Sequence, residues 1–200
     1  METTGYKIRD QSKPHFVTLT VVGWIDVFTR KSYKDILINS LDYCIKNKGM
    51  VVYGYVIMSN HIHLIIQSTE NDLSGLIRDF KKFTAKEIIH HIQSNPESRR
   101  EWILPLLKKA TTTHSRNKEY QFWKYGNHPE EIYSQKFLWS KLDYIHLNPV
   151  KSGIVNKASH YIYSSASSYV NNSGLIEVTL VDNPMINVHS DTSFWKSISW

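Results

Sequence analysis

Two histidines, His61 and His63, lie within the most apolar run of the chain, VIMSNHIHLIIQ (residues 56–67). A run of this composition predicts a β-strand, and side chains two positions apart in a strand point to the same face. The two imidazoles therefore lie side by side, while Ile62 and Leu64 point to the other face and pack against helices. Neighbouring imidazoles suit a divalent metal ion. The alternative is that one is a hydrogen-bonded core histidine and the other a surface residue.

A second group of potentially reactive residues lies far downstream, in KLDYIHLNPVKSGIV (residues 141–155). On a helix, Tyr144 and Asn148 share a face, although Pro149 disfavours helical geometry at the residue before it. A tyrosine hydroxyl is a nucleophile when a metal or a base activates it, and an amide oxygen is a suitable ligand for Mg²⁺ or Mn²⁺. His146 should face elsewhere. In a chain with 12 tyrosines, the alternative is a purely structural Tyr144.

The elements that must position these residues begin with a strand over residues 15–28, HFVTLTVVGWIDVF, which is rich in β-branched and aromatic residues. Apolar residues of helical period then predict a helix over about 33–47, with Gly49 suited to a left-handed cap. The runs MVVYGYVIM and HIHLIIQ follow as two strands. Because only a short SN connection separates them, we expect antiparallel neighbours.

The second half of the predicted fold is mainly helical. Residues 72–93 form an amphipathic pattern with a basic polar face, and residues 94–126 have no clear pattern. A last helix is predicted to begin at the N-cap signal of Asn127 and the acidic residues after it, and to run to about Leu147, stopped by Pro149. The order strand, helix, strand, strand, helix predicts an α+β fold. Its simplest form is a ferredoxin-like or RRM-like antiparallel sheet with helices packed on it.

The composition is that of a folded protein, with 41% hydrophobic and 12% aromatic residues among 200. We expect one domain over residues 1–170 and a C-terminal tail of uncertain structure over 171–200. The single cysteine, Cys44, excludes an intrachain disulfide and is expected to be a buried small hydrophobe. Because neither a secretory signal nor a membrane span is visible, the cytoplasm is the expected compartment.

The charge balance is moderately basic, with 24 Lys and Arg residues against 18 Asp and Glu residues and a net charge of +6. This balance favours a nucleic-acid partner without establishing one. Aromatic residues alternate with charges in EYQFWKYGNH (residues 119–128), and aromatic faces can stack on unpaired bases. The alternative is that Phe122 and Trp123 are ordinary core residues.

Together, the two reactive segments resemble a known family. SNHIHLII looks like the His-hydrophobe-His signature of HUH single-strand endonucleases. DYIHLNPVKSGIV is similar to the tyrosine helix of the REP-associated tyrosine transposases, relatives of the single-tyrosine insertion-sequence transposases. GNHPEEI and YIYSSASSYV (residues 161–170) also look like that family. The resemblance covers about residues 10–170.

The resemblance implies an RRM-like sheet with His61 and His63 as metal ligands on a central strand, Tyr144 as the nucleophile and Asn148 as a third ligand. It also implies a divalent metal, Mg²⁺ or Mn²⁺, that polarises the scissile phosphate. The implied reaction is cleavage and transfer of single-stranded, hairpin-containing DNA through a 5′-phosphotyrosine intermediate. A homodimer would supply a second tyrosine for strand transfer, and the DNA-bound protein would be associated with the nucleoid.

Basic residues are the expected contacts to the DNA backbone, although such clusters are often only a solvated face. The candidates are Lys81, Lys82, Lys86, Arg99, Arg100, Lys108 and Lys109.

Two other functions remain open on the same fold. A non-catalytic RRM-like module that binds single-stranded nucleic acid would need neither the histidine pair nor a tyrosine facing it. A metal-dependent hydrolase without a covalent intermediate would keep the histidines and make Tyr144 dispensable.

Overall fold

A computed structural model of the protein describes residues 7–113 and 119–183, in which helices cover a four-stranded antiparallel sheet. The strands lie in the order β2-β3-β1-β4, which confirms the predicted α+β, ferredoxin-like sheet. The strands are β1 (His15–Thr20), β2 (Met50–Ile57), β3 (His61–Ser68) and β4 (Glu130–Glu131). The helices are α1 (Lys31–Asn47), α2 (Leu73–Ser94), α3 (Arg100–Lys109), α4 (Gln135–Lys151) and α5 (Ala166–Asn171).

Strand β3 is central and carries the histidine pair. It pairs antiparallel with β2 on one side and with β1 on the other. In the register with β1, His63 lies opposite Thr18 and His61 lies opposite Thr20. Both histidines are therefore held on a strand whose backbone is hydrogen-bonded along both edges.

The sheet has one helix layer on each face. Helices α1 and α2 contact β2 and β3 from one side, where Ile62, Leu64 and Ile66 are fully buried. Helix α4 contacts the same two strands from the histidine side. The approach of α4 to β2 is close, because a Cβ atom at Gly54 would lie only 2.5 Å from Leu142 Cδ2. Glycine at this position thus allows α4 to reach the histidine face.

The predicted first strand is too long. Strand β1 ends at Thr20 instead of Phe28, and the chain continues in two short 3₁₀ turns. The cause is a reversal at Gly23 and Trp24, whose φ angles are +63° and +56°. Such angles are incompatible with an extended strand.

The predicted start of the last helix is also wrong. Helix α4 begins at Gln135, where Ser134 is the N-cap and its Oγ accepts a hydrogen bond from Phe137 N at 3.2 Å. The residues expected to form the first turn, Glu130–Glu131, instead pair with β1 as strand β4. Pairing with a free sheet edge therefore outweighs the local acidic capping signal.

The predicted end of that helix at Leu147 is wrong as well. Helix α4 continues through Pro149 to Lys151. Proline lacks the backbone N–H that would bond to the carbonyl four residues earlier. Because Pro149 lies in the last turn, the helix loses this bond close to its natural end and keeps Asn148 in helical geometry.

The chain beyond α4 covers the outer edge of β2. Ile57 N donates to Tyr163 O at 2.9 Å, and Thr179 N donates to Val52 O at 2.8 Å. Residues 171–183 of the expected tail thus pack against the domain. Residues 184–200 of that tail, and residues 114–118 of the unassigned region 94–126, lie outside the described residues.

Two simpler expectations concern Cys44 and membrane spans. Cys44 lies on α1 and its side chain is buried in the hydrophobic core, as predicted. Within residues 7–113 and 119–183, every helix is too short or too polar to cross a membrane.

Candidate active site

The four residues singled out from the sequence line one cavity of about 520 Å³. His61 and His63 reach it from β3, and Tyr144 and Asn148 reach it from α4. The segment that precedes β4 also lines the cavity, including His128. Residues far apart in sequence therefore meet between the sheet and one helix, in agreement with the family resemblance.

His63 is the most buried member, with 5% of its surface exposed. Its ring stacks on Phe16 at a centroid distance of 5.4 Å, and its Nδ1 lies 2.8 Å from Thr18 Oγ1. Its Nε2 is buried and has no hydrogen-bond partner among the described residues. Burial lowers the pKa of His63 to about 3, and the nearby His61 and Lys141 act in the same direction. The ring is therefore neutral near pH 7.

His61 is oriented by a chain of hydrogen bonds. Asn60 Nδ2 donates to Asp26 Oδ1 at 2.8 Å, which leaves Asn60 Oδ1 as an acceptor 2.7 Å from His61 Nδ1. His61 Nδ1 consequently carries the proton and donates it, so that the lone pair is on Nε2. Burial lowers the pKa of His61, against the opposing effect of the Asp26 carboxylate. The two imidazole centroids are 4.8 Å apart.

Tyr144 lies beside the histidines and remains accessible. Its ring centroid is 5.1 Å from that of His63 in an edge-to-face arrangement, and 44% of its surface is exposed. One turn later, Asn148 lines the same cavity. His146 faces away, as predicted: it is fully buried, with Nε2 2.7 Å from Ser165 Oγ. The α4 face that meets the histidines thus carries the phenol and the amide.

The donor atoms of this site fit a divalent cation. A buried imidazole nitrogen without a partner costs about 1–3 kcal/mol of stability, and His63 Nε2 is such an atom on a residue that lines the cavity. Metal-binding histidines commonly hold the other ring nitrogen in an outer hydrogen bond, as Thr18 and Asn60 do here. Within residues 7–113 and 119–183, no group of three or more His, Cys, Asp or Glu residues could hold a metal. The Asn148 side chain lines the same cavity as the two histidines.

Comparison with known families decides the class of protein. The sequence profile described as "Transposase IS200 like" matches residues 10–135, more than half of the chain. The chain belongs to the IS200-like transposase family. DNA binding and DNA transposition, with the strand cleavage and transfer that transposition requires, are therefore its functions. The matched residues include both histidines, whereas Tyr144 and Asn148 lie beyond them.

A solved structure supports the same fold. It is described as a REP-associated tyrosine transposase bound to a REP hairpin, and its TM-score to this chain is 0.59. The match covers 90% of this chain and 96% of that chain at 17% sequence identity, which shows a shared fold. No curated protein matches the chain. The predicted resemblance to this group of transposases is confirmed.

In this IS200-like site, sequence reasoning missed the residues that line the rim. Trp24 is 56% exposed and packs edge-on against His61 at a centroid distance of 6.0 Å. Lys124 Nζ lies 4.2 Å from the Trp24 ring centroid. The turn that presents Trp24 has no sequence signal beyond Gly23. His128 could have been found, because it lies in the family-like stretch GNHPEEI.

Three of the basic residues expected to contact DNA are engaged within the transposase fold. Lys81 Nζ donates to Lys124 O at 2.9 Å and to Asn127 Oδ1 at 2.8 Å, and burial lowers the pKa of Lys81 to about 8. Arg99 Nε is 3.0 Å from the buried Glu97 carboxylate, and Arg100 Nε donates to a carbonyl of α2 at 2.7 Å.

The other four lie on the surface of the protein. Lys82 and Lys86 are exposed on α2, and Lys108 and Lys109 are exposed at the end of α3. Contact between any of the seven residues and DNA stays a prediction.

Proposed function

We propose that this transposase cleaves and rejoins single-stranded DNA through a covalent bond between the Tyr144 oxygen and a 5′ phosphate. The observation that carries the proposal is the position of His63: it lines the same cavity as Tyr144, and its buried Nε2 has no hydrogen-bond partner among the described residues. A nucleic-acid-binding module would have no use for that arrangement.

In the proposed reaction, His61 and His63 hold a divalent cation, Mg²⁺ or Mn²⁺, with Asn148 as the third protein ligand. The bound cation would polarise the scissile phosphate and stabilise its developing negative charge. Both imidazoles are neutral, because burial lowers the pKa of each. As neutral ligands they would leave the cation its full positive charge.

The role of Tyr144 is nucleophilic attack on phosphorus. A bond forms between its phenolic oxygen and phosphorus, and the bond from phosphorus to the 3′ oxygen breaks. The phenol loses its proton to solvent, and the 3′ oxygen leaves as a hydroxyl after taking a proton from solvent. Because the phosphodiester bond energy is kept in the tyrosine ester, a 3′-OH can reverse the step and rejoin the strand.

The proposed substrate is single-stranded DNA next to a hairpin. The site lies between the sheet and α4 in a cavity of about 520 Å³, which suits an unpaired strand better than a duplex. The solved structure of similar fold is described as bound to a REP hairpin, and that description supports hairpin DNA as the partner here. Strand transfer with two tyrosines would use a homodimer.

The test is an adduct assay on denaturing gels. The protein is incubated with Mn²⁺ or Mg²⁺ and labelled single-stranded hairpin DNA from the flanks of its own gene. We expect a denaturant-resistant adduct that Tyr144→Phe and His61→Ala abolish. The matched control is Tyr133→Phe, because Tyr133 is 75% exposed and is not among the cavity residues. Cleavage that survives Tyr144→Phe would indicate a hydrolase, and binding without cleavage would indicate a binding module.

A further inference from the structure

A second cavity, of about 750 Å³, adjoins the candidate active site and shares Lys124 and Tyr125 with it. It lies between the polar face of α2 and the segment over residues 119–127. We call it the basic groove, and its principal lining residues are Arg78, Lys82, Lys86, Tyr120, Lys124 and Tyr125. A strand that leaves the active-site cavity on this side enters the groove directly.

Basic side chains outnumber acidic ones in the groove, where Glu119 is the carboxylate among the lining residues. Lys82 and Lys86 are exposed, four positions apart on α2, and neither forms an ion pair in the part of the chain that the structure describes. On α1, by contrast, Lys31 is 2.6 Å from Asp35 and Lys46 is 2.7 Å from Asp42. Lys82 and Lys86 are thus exposed cations beside the active site that are not engaged in ion pairs with described residues.

The width of the groove is fixed by hydrogen bonds between its two walls. Lys81 Nζ reaches from α2 to Lys124 O and Asn127 Oδ1, and Trp123 Nε1 donates to Thr84 Oγ1 at 3.1 Å. These bonds hold the 119–127 segment against α2. Lys81 therefore shapes the groove, whereas Lys82 and Lys86 remain accessible to a ligand.

Trp24 lies where the active-site cavity opens towards the groove. Gly23 and Trp24 have φ angles of +63° and +56°, and a positive φ is strained for a bulky residue such as tryptophan. Asn60 Nδ2, which belongs to the hydrogen-bond chain of His61, lies 3.3 Å from Trp24 O. The fold thus maintains a strained turn that exposes an indole ring next to a histidine of the site.

We propose that the basic groove and Trp24 bind the single-stranded DNA next to the scissile phosphate, with backbone phosphates on Lys82 and Lys86 and a base stacked on Trp24. The assignment names the substrate path for the proposed strand cleavage and rests on it. Cationic grooves combined with aromatic platforms bind single strands in a sequence-tolerant way.

The test measures binding of the full chain to a labelled oligothymidylate by fluorescence anisotropy over a range of salt concentrations. Lys82→Ala/Lys86→Ala should weaken binding about tenfold at low salt and reduce the slope of log K against log salt by about 1.4. Lys31→Ala/Lys46→Ala removes the same charge from α1 and should change affinity less than about twofold. Trp24→Ala should weaken binding about tenfold, and Trp24→Phe should restore most of the loss.

The outcomes distinguish the proposed DNA-binding path from the proposed strand cleavage. If the two double-lysine variants weaken binding equally, only net charge matters and the DNA does not bind in the basic groove. If Trp24→Ala binds with unchanged affinity, no base stacks on Trp24. If the groove variants behave as expected but the wild type forms no tyrosine adduct, the proposed cleavage is wrong and the binding path stands. If the adduct forms and the groove variants bind normally, the path is wrong and the cleavage stands.

Discussion

His63 and His146 are both buried histidines, yet they belong to different kinds of environment. Burial lowers the pKa of each to about 3, so neither burial nor pKa separates them. The difference is what surrounds each ring. His146 is fully buried in the core, with its Nε2 2.7 Å from Ser165 Oγ, whereas His63 lines a cavity shared with Tyr144 and Asn148. A neutral, buried imidazole thus indicates a ligand site only where its ring also lines a cavity with other donor groups.

The largest expected difference comes from the same substitution at both positions. His63→Leu should lower the affinity for Mn²⁺ until binding is no longer detected. Removal of an outer hydrogen-bond partner typically lowers metal affinity by about 10- to 100-fold, and the loss of a ligand should exceed that. His146→Leu should leave Mn²⁺ affinity unchanged. Isothermal titration calorimetry measures both. Loss of metal binding in His146→Leu, with the fold intact by circular dichroism, would contradict the distinction between the two sites.

The stability of the metal-free protein should depend on pH through His146. Its pKa in the folded protein, about 3, is below the ordinary value of 6.5, so the unfolded chain binds the proton first as the pH falls. The stabilisation is complete above pH 6.5 and is lost between pH 6.5 and about 3. The loss amounts to about 1.4 kcal/mol per pH unit. Urea unfolding in EDTA should therefore show a shallower acid dependence in His146→Leu, and an identical dependence would refute this contribution.

A smaller effect is expected at the outer hydrogen bond of His63. Thr18 Oγ1 lies 2.8 Å from His63 Nδ1, and removal of such a partner typically lowers metal affinity by about 10- to 100-fold. Thr18→Val should show this loss in a Mn²⁺ titration, and Thr18→Ser, which keeps the hydroxyl, should restore the affinity. If Thr18→Ser does not restore the affinity, the methyl group of Thr18 is what matters for metal binding, and its hydroxyl does not orient the His63 ring.

The smallest effect belongs to the hydrogen-bond partner of His146. Ser165 Oγ also accepts a hydrogen bond from Tyr55 N at 2.9 Å. Ser165→Ala should lower the free energy of unfolding by about 1 kcal/mol, without changing the Mn²⁺ affinity. Thermal unfolding and the same metal titration provide the two readouts, and a change in metal affinity alone would contradict a purely structural role.

The histidine pair and the tyrosine helix were predictable from sequence because their geometry is local. Alternation along a strand places His61 beside His63, and one helical turn places Asn148 beside Tyr144. That the two segments meet did not follow from either pattern. It followed from the family resemblance, and the shared cavity agrees with it.

What the sequence missed depends on contacts between distant residues. The acidic residues after Asn127 carry a helix-capping signal, but their pairing with β1 makes them a strand. Arg99 looks like a surface cation until Glu97 is found buried beside it. Trp24 reads as part of a strand, and only the reversed turn at Gly23 exposes it. In each case tertiary structure overrides a local preference.

The central claim is that Tyr144 is the residue that bonds to DNA, and mapping the adduct tests it most directly. After reaction with labelled single-stranded DNA, trypsin would release the peptide over residues 142–151, in which Tyr144 is the single tyrosine. We expect mass spectrometry to find the nucleotide on this peptide. A nucleotide on any of the other tyrosines, such as Tyr125 at the cavity wall, would contradict the account.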